Sequence, residues 1–524
     1  MKTIQSGVSA VAIAVAVALS TSATAQTAAP NADEGLLDEI VVTANRRAES
    51  LLDVPAAISA VTGEQLISEG VTSAKDLPNV LPNVQVGVAG FGIRGVASAD
   101  FTEKGDPSTS FTVNGIYIGR FTEQQLALFD VSRVEVLRGP QGTLYGRNAT
   151  AGVINVIPQR PTDTFEALGS VEVGNFGTTR LNSAVNMPLS DSASVRLAAV
   201  YNHNDGYTST RDNHGRLDNQ NDLGARAGLS YRFSDAVNVY VAADYVQSLT
   251  HGVASIATAR ALAQNGDSSL RFQNPGFTPY SRYKAGGLTF ELNADLGIGD
   301  LTYLFGHRES RFRDRMARND IPLIAAGAFS NGDFANHMNQ DQDSHELRLA
   351  SKSEGPLKWI TGLYYFKENP KVSPYLLFPA FGFALDYDID TTSKSAAAFG
   401  QLTYEFVPGF RATGGLRYTD DKKSRDGLQT FLIPGTPVAF PTVFQGKYPG
   451  GGIKGDKTTW KLGLEADVTA DVLAYGSVTS GYKAGGFNDG SPADVSPVPF
   501  FYRPETITSY EAGLKGTALD DASK

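Results

Sequence analysis

The chain has 524 residues and no cysteine, so it can form no disulfide and its folding rests on burial and strand pairing alone. Its formal net charge of -10 argues against nucleic acid as a partner, because phosphate binding needs clustered cations. A mean hydropathy of -0.17 with 54 Gly, 21 Tyr and 28 Phe suits strands that are apolar on one side and polar on the other, with aromatic girdles, although a large soluble β-protein could share these numbers.

Lys2, an apolar run from Val8 to Leu19 and Ala23-Thr24-Ala25 form the charge, hydrophobic core and A-x-A cleavage pattern of a secretory signal peptide (residues 1–25), with the mature start at Gln26. That run is too short to span a bilayer as a helix, and no later segment offers the roughly 18 uninterrupted apolar residues that a helix needs. A membrane protein with this sequence must therefore be a barrel. Within residues 26–50 lies Asp38-Glu39-Ile40-Val41-Val42-Thr43-Ala44, an acidic pair and β-branched residues ahead of Arg46 and Arg47. Such residues favour an extended backbone able to add to the edge of a partner sheet, and taken alone they also read as an ordinary strand.

From Leu51 to Pro161 the pattern is that of a small α/β domain. Val54 to Thr62 reads as a strand and Thr62 to Gly70 as a short helix, with Thr62 as N-cap and Gln65 as its capping-box partner. SAKDLPNVLPNVQV continues as a second helix broken by Pro78 and Pro82. Gly92–Val96, Ser108–Arg120, Ser132–Pro140 and Gly152–Pro158 read as strands, while ASADFTEKGDP (97–107) and RFTEQQ (120–125) have no regular pattern. The most informative stretch is FDVSRVEVLRGPQGTLYGRNATAGVINVIPQRP, Phe129 to Pro161, which packs two apolar strands and a Gly-rich turn into one unit.

Beyond Pro161 the chain becomes a series of segments with period-2 alternation. In LGARAGLSYRF, Leu223, Ala225, Ala227, Leu229, Tyr231 and Phe233 share one face and Arg226, Ser230 and Arg232 the other. Val237, Val239 and Val241, then Phe410, Ala412 and Leu416, then Trp460, Leu462 and Leu464 repeat the device. Short turns near residues 190–194, 234–236, 297–300, 353–356, 407–409 and 469–471 alternate with long connections near 204–222, 248–284, 312–340, 369–393, 422–458 and 484–504. Outer-membrane barrels alternate short periplasmic turns with long extracellular loops, and structureless loops this long argue against a compact soluble domain.

The Phe129–Pro161 stretch closely resembles the end of the plug in TonB-dependent outer-membrane receptors, and the preceding strands follow that plug's order. The resemblance implies a membrane β-barrel with an N-terminal α/β plug domain: plug at 51–161, barrel at 162–524. It makes Asp38 to Ala44 a TonB box. The short span from Gln26 to Asp38 leaves no room for the extra signalling domain of some relatives, which favours transport without transcriptional signalling. It implies ligand contacts for the apical loops, with Phe101, Lys104, Arg120, Phe121 and Gln124 as candidates, while the bland reading is solvated turns. Arg94, Arg133, Glu135, Arg138 and Arg147 sit on or beside strands that nest in a polar lumen, where charges need partners. Glu346 of HELRLAS and Glu511 of TSYEAGLKG are implied barrel partners, and a lock without a ligand role is the preferred reading.

The family closes its barrel with 22 strands. About 14 are counted here, and the chain ends at Lys524 in a turn, without the terminal strand and C-terminal aromatic of relatives. The expectation is therefore an incomplete stretch of a longer receptor. The implied activity is TonB-dependent import of a scarce ligand, with a ferric siderophore favoured, by a monomer in the cell outer membrane of a Gram-negative bacterium.

Arg308, Arg311, Arg313, Arg315 and Arg318 of HRESRFRDRMAR could attract an anionic ligand. Yet Arg311, Arg313 and Arg315 share parity with Tyr303 and Phe305, which favours outer-membrane lipid and lipopolysaccharide phosphates instead. The six histidines, His203, His214, His251, His307, His337 and His345, show no ligand spacing, so a metal site is not expected. No nucleophile-and-base constellation is present and RGPQGTLYG lacks the Lys-Ser/Thr of a P-loop, so neither catalysis nor a resident cofactor is expected. A passive porin would leave the plug and the TonB box without purpose. A non-transporting adhesive or phage-binding remnant rests only on the missing strands.

Overall fold

The computed structural model describes residues 40–516 except 88–89, 99, 101, 211–214, 253–271, 274–277, 324–327, 353–354, 379–382, 433–438, 443–451, 470 and 489–500. The signal peptide, Asp38, Glu39 and Phe101 lie outside the described residues.

The first strands are β1 (Val41–Val42) and β2 (Glu49–Ser50), which pair with each other as a short antiparallel ribbon. A five-stranded sheet follows in the order β3 (Ile58–Thr62), β8 (Val131–Arg138), β9 (Gly152–Pro158), β6 (Thr109–Val113) and β7 (Ile116–Tyr117). A separate hairpin pairs β4 (Val84–Gly87) with β5 (Gly90–Ile93). Helix α1 (Gly63–Ser68) starts where expected: Thr62 accepts from the Gln65 amide, and the Gln65 side chain accepts from the Thr62 amide. A 3-10 turn (Ala74–Asn79) and helix α2 (Phe121–Gln124) complete the plug.

Within the plug, three expectations need correction. Residues 108–120 are not one strand but the β6–β7 hairpin. Asn114 and Gly115 both take positive φ, 52° and 81°, the conformation of a type I′ turn. The second helix stops at Asn79, and Val84-Gln85-Val86 pairs as β4, because the prolines deny the helix its amides. The segment after Arg120 is a short helix rather than an irregular loop.

The plug core joins Leu66, Leu77, Phe91, Ile93, Phe111, Val134, Val136, Ile154 and Val156, all buried. Phe91 stacks on Phe111 at 5.6 Å and meets the edge of Phe121 at 5.5 Å. Aromatic pairs in such geometries add about 0.5–1.5 kcal/mol beyond area burial.

Most of the remaining described chain forms one large antiparallel sheet, beside a three-stranded sheet of residues 208–210, 216–217 and 272–273 and a short ribbon of 486–487 with 501–502. Its path runs through β10 (Glu166–Gly174), β11 (Thr178–Ser190), β12 (Ala193–Asn204), β13 (Gln220–Ser234), β14 (Val237–Thr250), β15 (Tyr280–Asp295) and β16 (Gly299–Leu323). It continues through β17 (Ala328–Ser351), β18 (Leu357–Val372), β19 (Phe383–Val407), β20 (Phe410–Leu432), β21 (Ile453–Thr469), β22 (Val472–Lys483) and β23 (Glu505–Gly516). The path has fourteen strands and is not closed: among the described residues, β10 and β23 are its two ends.

Alternation explains the two faces. Leu229, Tyr231 and Phe233 of β13, Phe410 and Leu416 of β20, and Leu462 and Leu464 of β21 are exposed on the outer side, where lipid would cover them. Their inward neighbours, such as Arg226 and Arg417, are buried. The long strands β16 and β17, 25 and 24 residues, run well past the 9–11 residues that a membrane requires, so most of the connection expected near 312–340, and parts of those near 369–393 and 422–458, are paired strand rather than structureless loop.

Candidate functional site

The plug strands present charged side chains to the polar face of the wall, and those buried there, such as Arg120 and Arg147, need partners. The N-terminal segment is itself part of this contact. Val42 and Ala44 are buried against Val54, Ile58, Leu137 and Val153. Between them Thr43 turns to Glu135, donating its amide at 2.8 Å and its hydroxyl at 3.0 Å. Three residues further on, Arg46 reaches Glu346 of β17 at 3.4 Å and lies 4.2 Å from the centroid of the Tyr145 ring. Tyr145 donates its hydroxyl to the Thr43 carbonyl. Burial, against the opposing pull of Arg46, pushes that phenol up to about 12, so it stays a neutral donor.

The residues expected to bind plug to barrel divide into two groups. Arg94 meets Glu511 at 2.9 Å, and the other Glu511 oxygen accepts from the Ala57 amide. Arg147 donates to Ser393 and lies 3.9 Å from both Asp421 and Asp106. Glu346 holds Arg46 and, at 2.9 Å, Arg348. Arg133, Glu135 and Arg138 instead turn inward: Arg133 donates to Glu135 at 2.8 Å, and Arg138 bonds Ser59 and the Pro82 carbonyl. The physical reason is that Arg133 and Glu135 lie two apart on one face of β8, so they satisfy each other within the plug.

The apical segments are strapped to the wall rather than free. Arg120 is buried, donating to Glu368 of β18 at 2.8 Å, to Gln340 of β17 at 3.1 Å and to the Thr102 carbonyl. Gln124 is buried too and donates to the Ile118 carbonyl. Phe121 is half-buried on Phe91. Lys104 offers its carbonyl to Lys423 and to the Phe487 amide. Next to it, Glu103 pairs with Arg425 at 3.3 Å and Asp106 with Lys423 at 3.6 Å, both on β20. Burial would raise the Asp106 carboxyl, but Lys423, Arg147 and Arg120 together outweigh it and hold the group at about 2.

Other anchors were not singled out from the sequence. Asp130, at the entry to β8, receives Arg196 of β12 at 2.6 Å. Arg160, at the exit of β9, grips Glu291 of β15 at 2.7 Å. Glu123 takes Arg308 of β16, which also holds Asp244 of β14 at 2.9 Å. The available signal was parity: Arg196, Glu291 and Asp244 lie on the faces opposite the exposed Leu197, Leu288 and Tyr245 of their strands.

A plug of this topology pinned to an antiparallel wall is a recognisable assembly. A family model for the TonB-dependent receptor plug domain matches residues 50–153, and one for the TonB-dependent receptor-like β-barrel matches residues 243–523. The chain belongs to the TonB-dependent receptors. Proteins of this family are receptors and transporters in the outer membrane of Gram-negative bacteria, taking up ligand in concert with TonB. This receptor is 27% identical over 523 residues to the pesticin receptor of Yersinia enterocolitica, covering 95% of this chain and 70% of that one. Over 188 residues, 34% of this chain and 30% of the other, it is 30% identical to the vitamin B12 transporter BtuB of Photobacterium profundum. Among solved structures, the ferric yersiniabactin uptake receptor FyuA from Yersinia pestis matches with a TM-score of 0.74 at 22% identity, covering 88% of this receptor and 70% of that chain. The siderophore receptor PiuA from Acinetobacter baumannii matches with a TM-score of 0.69 at 17% identity over 90% of this receptor and 71% of its own chain. At these identities the solved structures speak for the fold.

Proposed function

We propose that this receptor imports a ferric siderophore across the outer membrane, and that TonB grips residues 38–44 and pulls to loosen the plug. The observation that carries the reading is the double attachment at the end of that segment and just behind it. Thr43 is bound to the plug through Glu135 and Arg46 to the wall through Glu346, so a pull there loads both contacts at once. For the cargo, the support is similarity along nearly the whole chain to the pesticin receptor and to the ferric yersiniabactin receptor. In this reading residues 1–25 are the leader, 26–50 the coupling segment, 51–161 the plug and 162–524 the wall. Phe101, Lys104 and Phe121 are assigned to ligand contact in this reading, while Arg120 and Gln124 hold the loops in place. Arg94, Arg147, Glu346 and Glu511 tie plug to wall, with Arg133, Glu135 and Arg138 stiffening the plug. The receptor works as a monomer.

The test is uptake of radioactive iron on a panel of siderophores by cells carrying this chain as sole receptor. Uptake of at least one chelate is expected, and its loss in a TonB-deficient host and in Val42→Pro. Uptake that persists without TonB means a passive pore. Entry of cobalamin with no ferric chelate taken up overturns the choice of cargo.

A further inference from the structure

On β16, Leu304, Arg308, Ser310 and Asp314 turn toward the plug and are buried, so Phe305, His307, Glu309, Arg311 and Arg313 point away from it. Register places Lys284 of β15 directly opposite Arg311 and Arg282 opposite Arg313. All four cations are exposed. Arg308, one face over, spends its guanidinium on Glu123 and Asp244, whereas none of these four makes an ion pair among the described residues. Like charges directly opposite on neighbouring strands destabilise a sheet. Two such rungs in succession serve no purpose in the packing of the wall. An anion held from outside would neutralise both.

Height decides which anion. Phe305, His345 and Tyr365 form an aromatic band on the same face, with ring centroids 4.9 and 6.2 Å apart, and Tyr303 bonds His345 at 2.9 Å. Such a girdle marks the boundary of lipid and water. From Phe305 to Arg311 the strand leads away from the short turn at 296–298, toward the extracellular end. It gains about 20 Å along its axis, or roughly 15 Å above the girdle once strand tilt is allowed for. A glycerophospholipid phosphate sits near girdle level. There it would meet mixed charge: Asp343 with His307 at 2.8 Å, Glu309 and Asp341, with Lys367 opposite Asp343. At the level of the cation rungs the outward neighbours are Asn339 and His337, without a carboxylate.

We propose that Arg282, Lys284, Arg311 and Arg313 form an outer-wall site for the phosphate groups carried on the saccharide head of lipopolysaccharide. Arginine offers two parallel donors to a phosphate, and Arg282 is braced over the Tyr280 ring at 5.0 Å.

The experiment titrates purified receptor in detergent with lipopolysaccharide bearing a phosphorylated inner core, alongside the same material stripped of phosphate and phosphatidylglycerol vesicles. Binding at least tenfold weaker is expected for Arg311→Glu/Arg313→Glu, and native receptor should bind the stripped form just as weakly. Arg282→Ala/Lys284→Ala, on the neighbouring strand, should lose a similar factor and carries the test if the charge reversal does not fold. Circular dichroism and heat-modifiable migration report whether the wall is intact. Native affinity in an intact variant overturns the site. Equal affinity for phosphatidylglycerol, lost equally in the variants, overturns the choice of lipopolysaccharide in favour of any anionic lipid.

Discussion

Thr43 donates both its amide and its hydroxyl to Glu135, a carboxylate with no solvent exposure, which Arg133 and Asn155 also contact. One buried side chain thus closes the coupling segment onto the plug. Hydrogen bonds to a charged group are worth about 1.5–3 kcal/mol. Glu135→Ala is expected to speed hydrogen exchange of residues 41–44 roughly 10- to 100-fold, while the wall strands keep their protection. Unchanged exchange at Thr43 would sink the assignment.

Acid should loosen the upper plug. The Asp106 carboxyl is held at about 2 in the folded receptor against an ordinary value near 3.8. A depressed folded value contributes stability that is complete above the unfolded value and is lost as the pH falls through about 4 toward 2. The shift corresponds to about 2 kcal/mol. Asp106→Asn is expected to remove that acid-dependent step from the unfolding profile of the plug, followed by exchange of residues 102–110 between pH 5 and 2. A step of the same size in the variant would assign it to another carboxylate.

Local chemistry was legible where neighbours in sequence are neighbours in space. The Thr62–Gln65 box, the outward Tyr231 and Phe233 against inward Arg226, and the β8 and β9 strands all follow from spacing of a few residues. The β6–β7 hairpin was missed because SFTVNGIYIG alternates on both sides of its turn, although the phase slips by one there and Asn114-Gly115 is a hairpin signal in itself. Partners hundreds of residues apart, such as Arg46 with Glu346 or Arg120 with Glu368, become visible only once the sheet fixes which strand faces which plug loop. Parity could say that these groups point inward. It could not say toward whom.

Arg120 offers a direct separation of ligand binding from support. Removing it leaves Glu368 buried without its cation, and breaking one side of such a pair costs about 3–5 kcal/mol. Arg120→Ala is expected to lower the melting temperature of the receptor with no ligand added, and Arg120→Lys to recover part of it. A residue that only touched ligand would leave that temperature unchanged and weaken binding alone, so the melting curve decides.

The Gly-rich turn after β8 owes its composition to the wall. A side chain at Gly142 would place its first carbon 2.6 Å from the Ser480 carbonyl on β22, and one at Gly146, whose φ is +82°, would meet the Arg417 guanidinium at 2.7 Å. Neither position has room, and Gly146 also has a backbone that other residues adopt only with strain. Thr459 of β21 donates to the Gly142 carbonyl, so the turn is bonded where it is most tightly packed. Overpacking of this kind typically costs about 1–3 kcal/mol. Gly142→Val is therefore expected to lift the plug from β21 and β22 without disturbing β10 to β14 on the far side of the sheet path. The check is exchange of the amides in residues 141–149 and 480–484, with those of residues 193–204 as internal control. Faster exchange confined to the first two sets confirms that the turn seats the plug, whereas equal loosening of all three would mean that the wall itself had failed.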